Sequence, residues 1–311
     1  MVERLLEAGH TVRCLVRKTS NLQYLRGLPV EFAYGDIAHP DTLPPALKGA
    51  DYIFHFAGLT KARTKEAFLQ VNAEGTANLA RAALEVPELK RLVYCSSLAA
   101  VGPQKTEAPL TEADIPHPLT VYGRSKLRGE ELLREVAGDR LDWTILRPTG
   151  IYGPRDTDIF IYFKLVHKGW KAFFSGSQRP VSLIHAADLA DLCLKAAEKA
   201  PPQSIYLASD GESYTYRMIS AAIERAKGKK ARTLVVPMPL VSFAALVSET
   251  VCRLSGQATI FNREKVRELE APGWAVSMEK AFRELDFRPR YDLDRGIRET
   301  YLWYKEKGWL G

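Results

Sequence analysis

The chain has 311 residues, 46% of them hydrophobic and 26% charged, which is enough for one large α/β domain and a smaller one. Its net charge of +7 and pI near 9.1 permit an anionic ligand. The basic residues are scattered rather than gathered in one run, so no nucleic-acid partner is expected. Cys14, Cys95, Cys193 and Cys252 lie far apart in apolar contexts, with no CxxC or Cys/His ligand spacing. Reduced, mostly buried thiols and no metal site are expected. The most apolar window, residues 239–254, carries Ser242, Ser248, Glu249 and Arg253 and is too short to span a bilayer. No signal-peptide pattern is read, and a cytoplasmic location is the expectation.

In chain order, Val2, Leu5 and Leu6 share one helical face and Ala8-Gly9-His10 reads as a helix end. Strands are predicted at residues 11–16, 30–34, 51–56, 91–95 and 143–146. Between them come a short helix over 40–47, a long one over 67–86, and a helix in the segment VYGRSKLRGEELLREV, stopped at Gly138. Beyond Gly153-Pro154 the pattern loosens. A helix is predicted over 159–166, a strand over 181–184, a helix over 188–199, a strand over 204–208 and a helix over 214–226. The tail, 235–310, reads as mostly helical with breaks at Pro237, Pro239, Pro272 and Pro289.

Strands that are apolar on both faces and alternate with helices predict a parallel sheet covered on both sides. Ligands bind beyond the carboxyl ends of such strands. Arg17, Asp36, Ala57, Ser97 and Pro148 stand at those ends in sequence order.

Within the 121–137 helix, Tyr122 and Lys126 lie one turn apart on one face. An ammonium near a phenol favours the phenolate, so the Tyr122 pKa is expected to fall below its usual value of about 10. Such a tyrosine can exchange a proton with a hydroxyl or carbonyl near neutral pH. The competing reading is a solvated helix on which the two residues coincide by chance.

The ordered set of motifs resembles the extended short-chain dehydrogenase/reductase family, of the NAD-dependent epimerase/dehydratase type. It comprises Gly35-Asp36-Ile37, His55-Phe56-Ala57-Gly58, Val71-Asn72-Ala73-Glu74-Gly75-Thr76, Ser96-Ser97, Tyr122 with Lys126, Leu146-Arg147-Pro148, Tyr152-Gly153-Pro154 and Ile184-His185-Ala186-Ala187-Asp188, with Trp303-Tyr304 and Gly308-Trp309-Leu310 at the close. The resemblance covers essentially the whole chain. It implies a Rossmann-like doubly wound parallel sheet with a smaller, mostly helical C-terminal substrate domain. The expected division is a dinucleotide-binding domain of residues 1–153 with 181–209, and a substrate-binding lid of residues 154–180 with 210–311.

The resemblance also implies roles. Tyr122 would be the general acid/base. Lys126 would hydrogen-bond the nicotinamide ribose and lower the tyrosine pKa. Ser97 would hold the reacting oxygen, against the reading of a strand-end serine that caps a turn. Asn72 would bond near the cofactor, or else tie its helix to a turn. Asp36 would accept from the adenine amino group and Ile37 would offer its backbone, although Gly-Asp is also ordinary turn chemistry. Phe56, Ala57 and Gly58 would let the backbone approach the cofactor closely, and Pro148 would line it. His185 and Asp188 are expected to pack rather than react. Residues 160–163 read as lid core, and Lys164, Lys168 and Lys171 as a solvated face or a contact for an anionic substrate.

The expected activity is that of an oxidoreductase working on a small-molecule substrate. Arg17-Lys18 and the 239–254 window favour a reductase of the dihydroflavonol-reductase or 3β-hydroxysteroid-dehydrogenase kind. Phe56-Ala57-Gly58-Leu59 favours a nucleotide-sugar epimerase or dehydratase without net cofactor turnover. A non-catalytic cofactor-binding scaffold or sensor is the alternative of another class, and retention of both Tyr122 and Lys126 argues against it. The cofactor is NADP or NAD. NADP is favoured because the 12–16 strand ends in Arg17-Lys18 with no carboxylate, and an arginine fork suits a 2′-phosphate. A homodimer is a possible assembly. Neither a first central strand nor a glycine-rich pyrophosphate turn is found in the sequence, so roughly 15–20 residues are expected to precede Met1.

Overall fold

Each strand of the first half is a short apolar run, and the helices between them are rich in Ala and Leu. The computed structural model describes residues 1–174, 178–255 and 262–311. In it the chain opens with α1 (Val2–Glu7), β1 (Val12–Val16) and β2 (Val30–Tyr34). A 3-10 turn (Pro40–Thr42) leads into α2 (Leu43–Leu47) and β3 (Tyr52–His55). Next come α3 (Lys65–Phe68), a π-helical segment (Leu69–Glu74), α4 (Gly75–Ala83), β4 (Arg91–Cys95), α5 (Val121–Ala137) and β5 (Trp143–Pro148). The second half holds β6 (Gly150–Tyr152), α6 (Phe160–His167), β7 (Trp170–Phe173), β8 (Leu183–His185), α7 (Ala186–Lys199), β9 (Ser204–Ala208), α8 (Tyr216–Lys227) and β10 (Arg232–Val235). It closes with α9 (Met238–Leu254), α10 (Arg263–Glu270), α11 (Glu279–Glu284) and α12 (Leu293–Glu306). Residues 175–177 and 256–261, within the expected lid, lie outside the described residues.

The main sheet is parallel, in the order β3-β4-β5-β9. β4 and β5 are buried along their whole length, because helices cover both faces. Successive residues of β4 serve opposite layers, as the strand period of two requires. Leu92 and Tyr94 pack with Leu43, Leu79, Leu133 and Ile145 on one side. Val93 packs with Leu192, Cys193, Leu207 and Phe287 on the other. β1 and β2 form a separate parallel pair, and no ladder joins β1 to β3 among the described residues. Met1 packs against the Val93 layer, Arg4 bonds Asp191 of α7, and Glu3 pairs with Arg155.

Several expectations need correcting. The helix predicted over 67–86 is α3, the π segment and α4 in series. In the widened turns the Asn72 carbonyl accepts a hydrogen bond from the Thr76 hydroxyl at 2.8 Å. The second half is less helical than its sequence suggests. β7 pairs with β10 and β6 with β8, and these strands are three or four residues long, too short for a periodic signal. Cys95 and Cys193 are buried, whereas Cys14 and Cys252 are half-buried. Lys171 is no solvated lysine, since it is ion-paired with Glu224 at 2.9 Å. The Phe160–Phe163 run is core at Phe163, but Ile161 on the same helix is exposed.

Candidate active site

Parallel register brings the carboxyl ends of β3, β4 and β5 to one edge of the main sheet, and those of β1 and β2 to one end of their own pair. Arg17 follows β1, Asp36 lies beyond β2, Phe56-Ala57-Gly58 follow β3, Ser97 follows β4, and Pro148 ends β5. The helix that carries Tyr122 starts beside them. Thr120 caps it, its hydroxyl accepting from the Gly123 N–H at 3.0 Å.

The Tyr122 phenol lies close enough to the Ser97 hydroxyl for Ser97 to favour its ionised form, and its ring lies 6.2 Å from that of Phe68. Lys126, one turn further on, is buried. Its Nζ donates to the Cys95 carbonyl at 2.8 Å and sits 4.3 Å from the centre of the Tyr94 ring. The expected drop in the Tyr122 pKa is not what the geometry yields. Burial raises it, and the opposing pulls of Lys126 and Ser97 do not overcome that. The same burial lowers the Lys126 pKa, against the attraction of Tyr122.

Ser97 shows the capping geometry of a strand-end serine. Its Oγ accepts from the Ala99 N–H at 3.2 Å, capping the turn Leu98–Ala100, and it lies near enough to the Tyr122 phenol to pull its pKa down. Ser96 is buried and donates to Glu130 at 2.6 Å, so it belongs to the scaffold. Asn72 takes the structural role. Its amide bonds both backbone groups of Leu59, at 2.7 and 2.9 Å, and donates to Ser125 Oγ at 2.9 Å. That clamp fixes the loop after β3, where a Cβ at Gly58 would stand 3.1 Å from Asn72 Oδ1 and 3.9 Å from Lys126 Nζ. A glycine backbone beside a lysine that spends one of its three N–H donors on Cys95, among the described residues, fits the ribose end of a dinucleotide.

At the β1–β2 side, Asp36 is tied into its turn by the Ala38 N–H and the Thr42 hydroxyl, and Arg17 Nη1 stands 4.0 Å from its carboxylate. Arg17 and Lys18 are exposed. The Ile37 side chain is buried against Gly75, leaving only its backbone for a ligand. Phe56, Ala57 and Gly58 are exposed. Pro148 closes β5 next to Arg147. His185 stacks on Tyr291 at 3.9 Å, and Asp188 accepts from the backbone N–H groups of Arg290 and Tyr291, so both pack as expected.

Two features escaped the sequence reading. Glu130, wholly buried, takes three contacts from Arg147 at 2.7–3.2 Å, which pins α5 to β5. Tyr122, Lys126 and Glu130 follow at four-residue intervals, and that spacing would have revealed it. Glu264 of α10 lies 143 residues from its partner. Both its carboxylate oxygens accept from the Val121 N–H at 3.0 Å, at the positive end of the helix that carries Tyr122. No local pattern could signal it.

Residues 1–209 match the family described as NAD dependent epimerase/dehydratase family. Over its full length the chain is 31% identical to ceramide reductase of Caulobacter vibrioides, covering 92% of that protein. It is 28% identical to 4-hydroxy-2-methyl-3-oxo-4-farnesyl-3,4-dihydroquinoline-1-oxide ketoreductase of Stigmatella aurantiaca, over 96% of this chain and 90% of that one. Among solved structures, UDP-glucose 4-epimerase of Thermotoga maritima superposes with a TM-score of 0.81 at 19% identity, over 98% of this chain and 94% of the other. The parallel sheet, the family match over residues 1–209 and a relative aligned from end to end make this chain an enzyme of the NAD-dependent epimerase/dehydratase family, within the short-chain dehydrogenases/reductases.

Proposed function

We propose that this enzyme moves hydride between a nicotinamide cofactor and a hydroxyl or carbonyl carbon of a long-chain, apolar substrate, with Tyr122 as general acid/base. One observation carries the reading. The Ser97 hydroxyl, the Tyr122 phenol and the Lys126 ammonium converge at the carboxyl end of β4.

Each group has a task that its surroundings suit. Burial keeps the Tyr122 phenol protonated at neutral pH, the form that donates to an oxygen gaining negative charge during reduction. Ser97 can donate to the same oxygen, because its hydroxyl rotates. The Lys126 charge stabilises the phenolate left when the proton departs. The nicotinamide, when bound, supplies or takes the hydride. Gly58 and Lys126 would hold its ribose end, with Asp36 and the Ile37 backbone at the adenine end. Arg17 would meet a 2′-phosphate, which favours NADP over NAD.

The apolar substrate is supported by two relatives matched over nearly their whole length. One is named for ceramide and the other for a farnesyl-bearing 3-oxo compound. Incubating the enzyme with NADPH or NADH and a panel of long-chain ketones and sugar nucleotides tests the reading. The expected result is one reduced nicotinamide consumed per ketone reduced. Interconversion of a sugar nucleotide with no net cofactor consumption would replace it with epimerisation.

A further inference from the structure

α9 reverses the usual arrangement of a surface helix. Leu240, Phe243, Val247 and Val251 fall on one stripe, and they are 59%, 65%, 45% and 57% exposed. The opposite, inward face holds Ala245, Ser248, Glu249 and Cys252, which is the more polar set. β10, which leads into this helix through Pro237, is exposed along its whole length, with Leu234 at 50% and Val235 at 67%. Apolar side chains held in water over two consecutive elements call for a covering partner.

Charge identifies that partner. At the start of β10, Arg232 pairs in register with the exposed Trp170, its guanidinium 5.8 Å from the indole. Lys168, Lys229 and Lys230 line the same depression and are exposed. An apolar stripe, an exposed tryptophan and a group of cations together match a bilayer surface with anionic headgroups. α9 has 17 residues, and no helix among the described residues is long and apolar enough to cross a membrane.

We propose that α9 and β10, with the cations around Trp170, dock the enzyme on the surface of an anionic bilayer. Docking would sit close to the chemistry. α9 packs on α10 and Glu249 pairs with Arg263, while Glu264 of α10 accepts from the backbone N–H that precedes Tyr122. The surface is argued from exposure and charge, so it does not depend on the substrate proposed above.

Vesicle flotation tests it. The wild-type protein should float with vesicles of phosphatidylcholine and phosphatidylglycerol in equal parts, less at high salt, and should stay behind with phosphatidylcholine alone. Lys229→Ala and Lys230→Ala should each weaken binding roughly fivefold. Phe243→Asp with Val247→Asp should abolish it. The milder Phe243→Ser should weaken it, and melting curves should confirm that each variant is folded. Three results would overturn the proposal. They are no binding of the wild type to anionic vesicles, binding that survives both sets of changes, and a dimer in light scattering that Phe243→Asp splits while vesicles are ignored.

Discussion

The buried pair of Glu130 and Arg147 offers a sharp test of how the site is held. The two side chains are 0% and 3% exposed, and Arg147 donates to both carboxylate oxygens while Ser96 adds a bond of 2.6 Å. Glu130→Gln keeps the shape and removes the charge, leaving a guanidinium buried without its counter-ion. Breaking one side of such a pair costs about 3–5 kcal/mol, a large share of a typical stability of about 5–15 kcal/mol. A fall in Tm on the order of 10 °C should follow in thermal unfolding read by circular dichroism. Arg134 supplies the internal control. It reaches the same carboxylate at 3.3 Å but is 40% exposed, so Arg134→Ala should cost less than about 1 kcal/mol. Replacing Glu130 and Arg147 together by Met should recover most of the loss, because no charge is then stranded. If Glu130→Gln melts with the wild type, or Arg134→Ala costs as much, the network does not anchor α5 as argued.

Other consequences can be read with simpler assays. Lys126→Met removes a cation beside Tyr122 that favours the phenolate, so the alkaline limb of the reduction rate should move to higher pH; an unmoved limb would separate Lys126 from Tyr122 electrostatically. His55 is buried beside Thr76, and burial first, then Lys126, hold its pKa at about 3. With a folded pKa below the unfolded one of about 6.5, the neutral ring contributes stability that is fully present above pH ~6.5 and is lost down to about pH 3. The slope is about 1.4 kcal/mol per pH unit, and urea unfolding of His55→Gln should show it flattened. Arg17→Ala should weaken NADPH binding and leave NADH nearly unchanged in fluorescence titration; equal loss of both, or tighter NADH binding by the wild type, would remove Arg17 from cofactor choice.

How much of this was legible in the sequence depended on locality. β1 to β5 and β9 are largely apolar runs of four to six residues, buried along their whole length at β4 and β5, and their composition gave them away. Tyr122, Lys126, Ser97 and Gly58 were singled out because strand ends and four-residue spacing are local signals. The sign of the Tyr122 shift was misread, because a pairwise argument sees the nearby ammonium and not the protein packed over the phenol. The bonds that hold the Asn72 amide, to the Leu59 backbone and to Ser125, join residues 13 and 53 positions away, beyond the reach of a local pattern. Glu264 and the β7–β10 pair are made by partners more than fifty residues apart, and no window on the sequence contains both sides.

The central claim is that Tyr122 moves the proton while the cofactor is held by other groups. Single-turnover reduction of the best ketone by Tyr122→Phe, with the cofactor dissociation constant measured on the same sample, tests it most directly. The account predicts a rate lower by about 10²–10⁴-fold with cofactor affinity within a factor of a few of the wild type. Reduction of the ketone by Tyr122→Phe at the wild-type rate would contradict it.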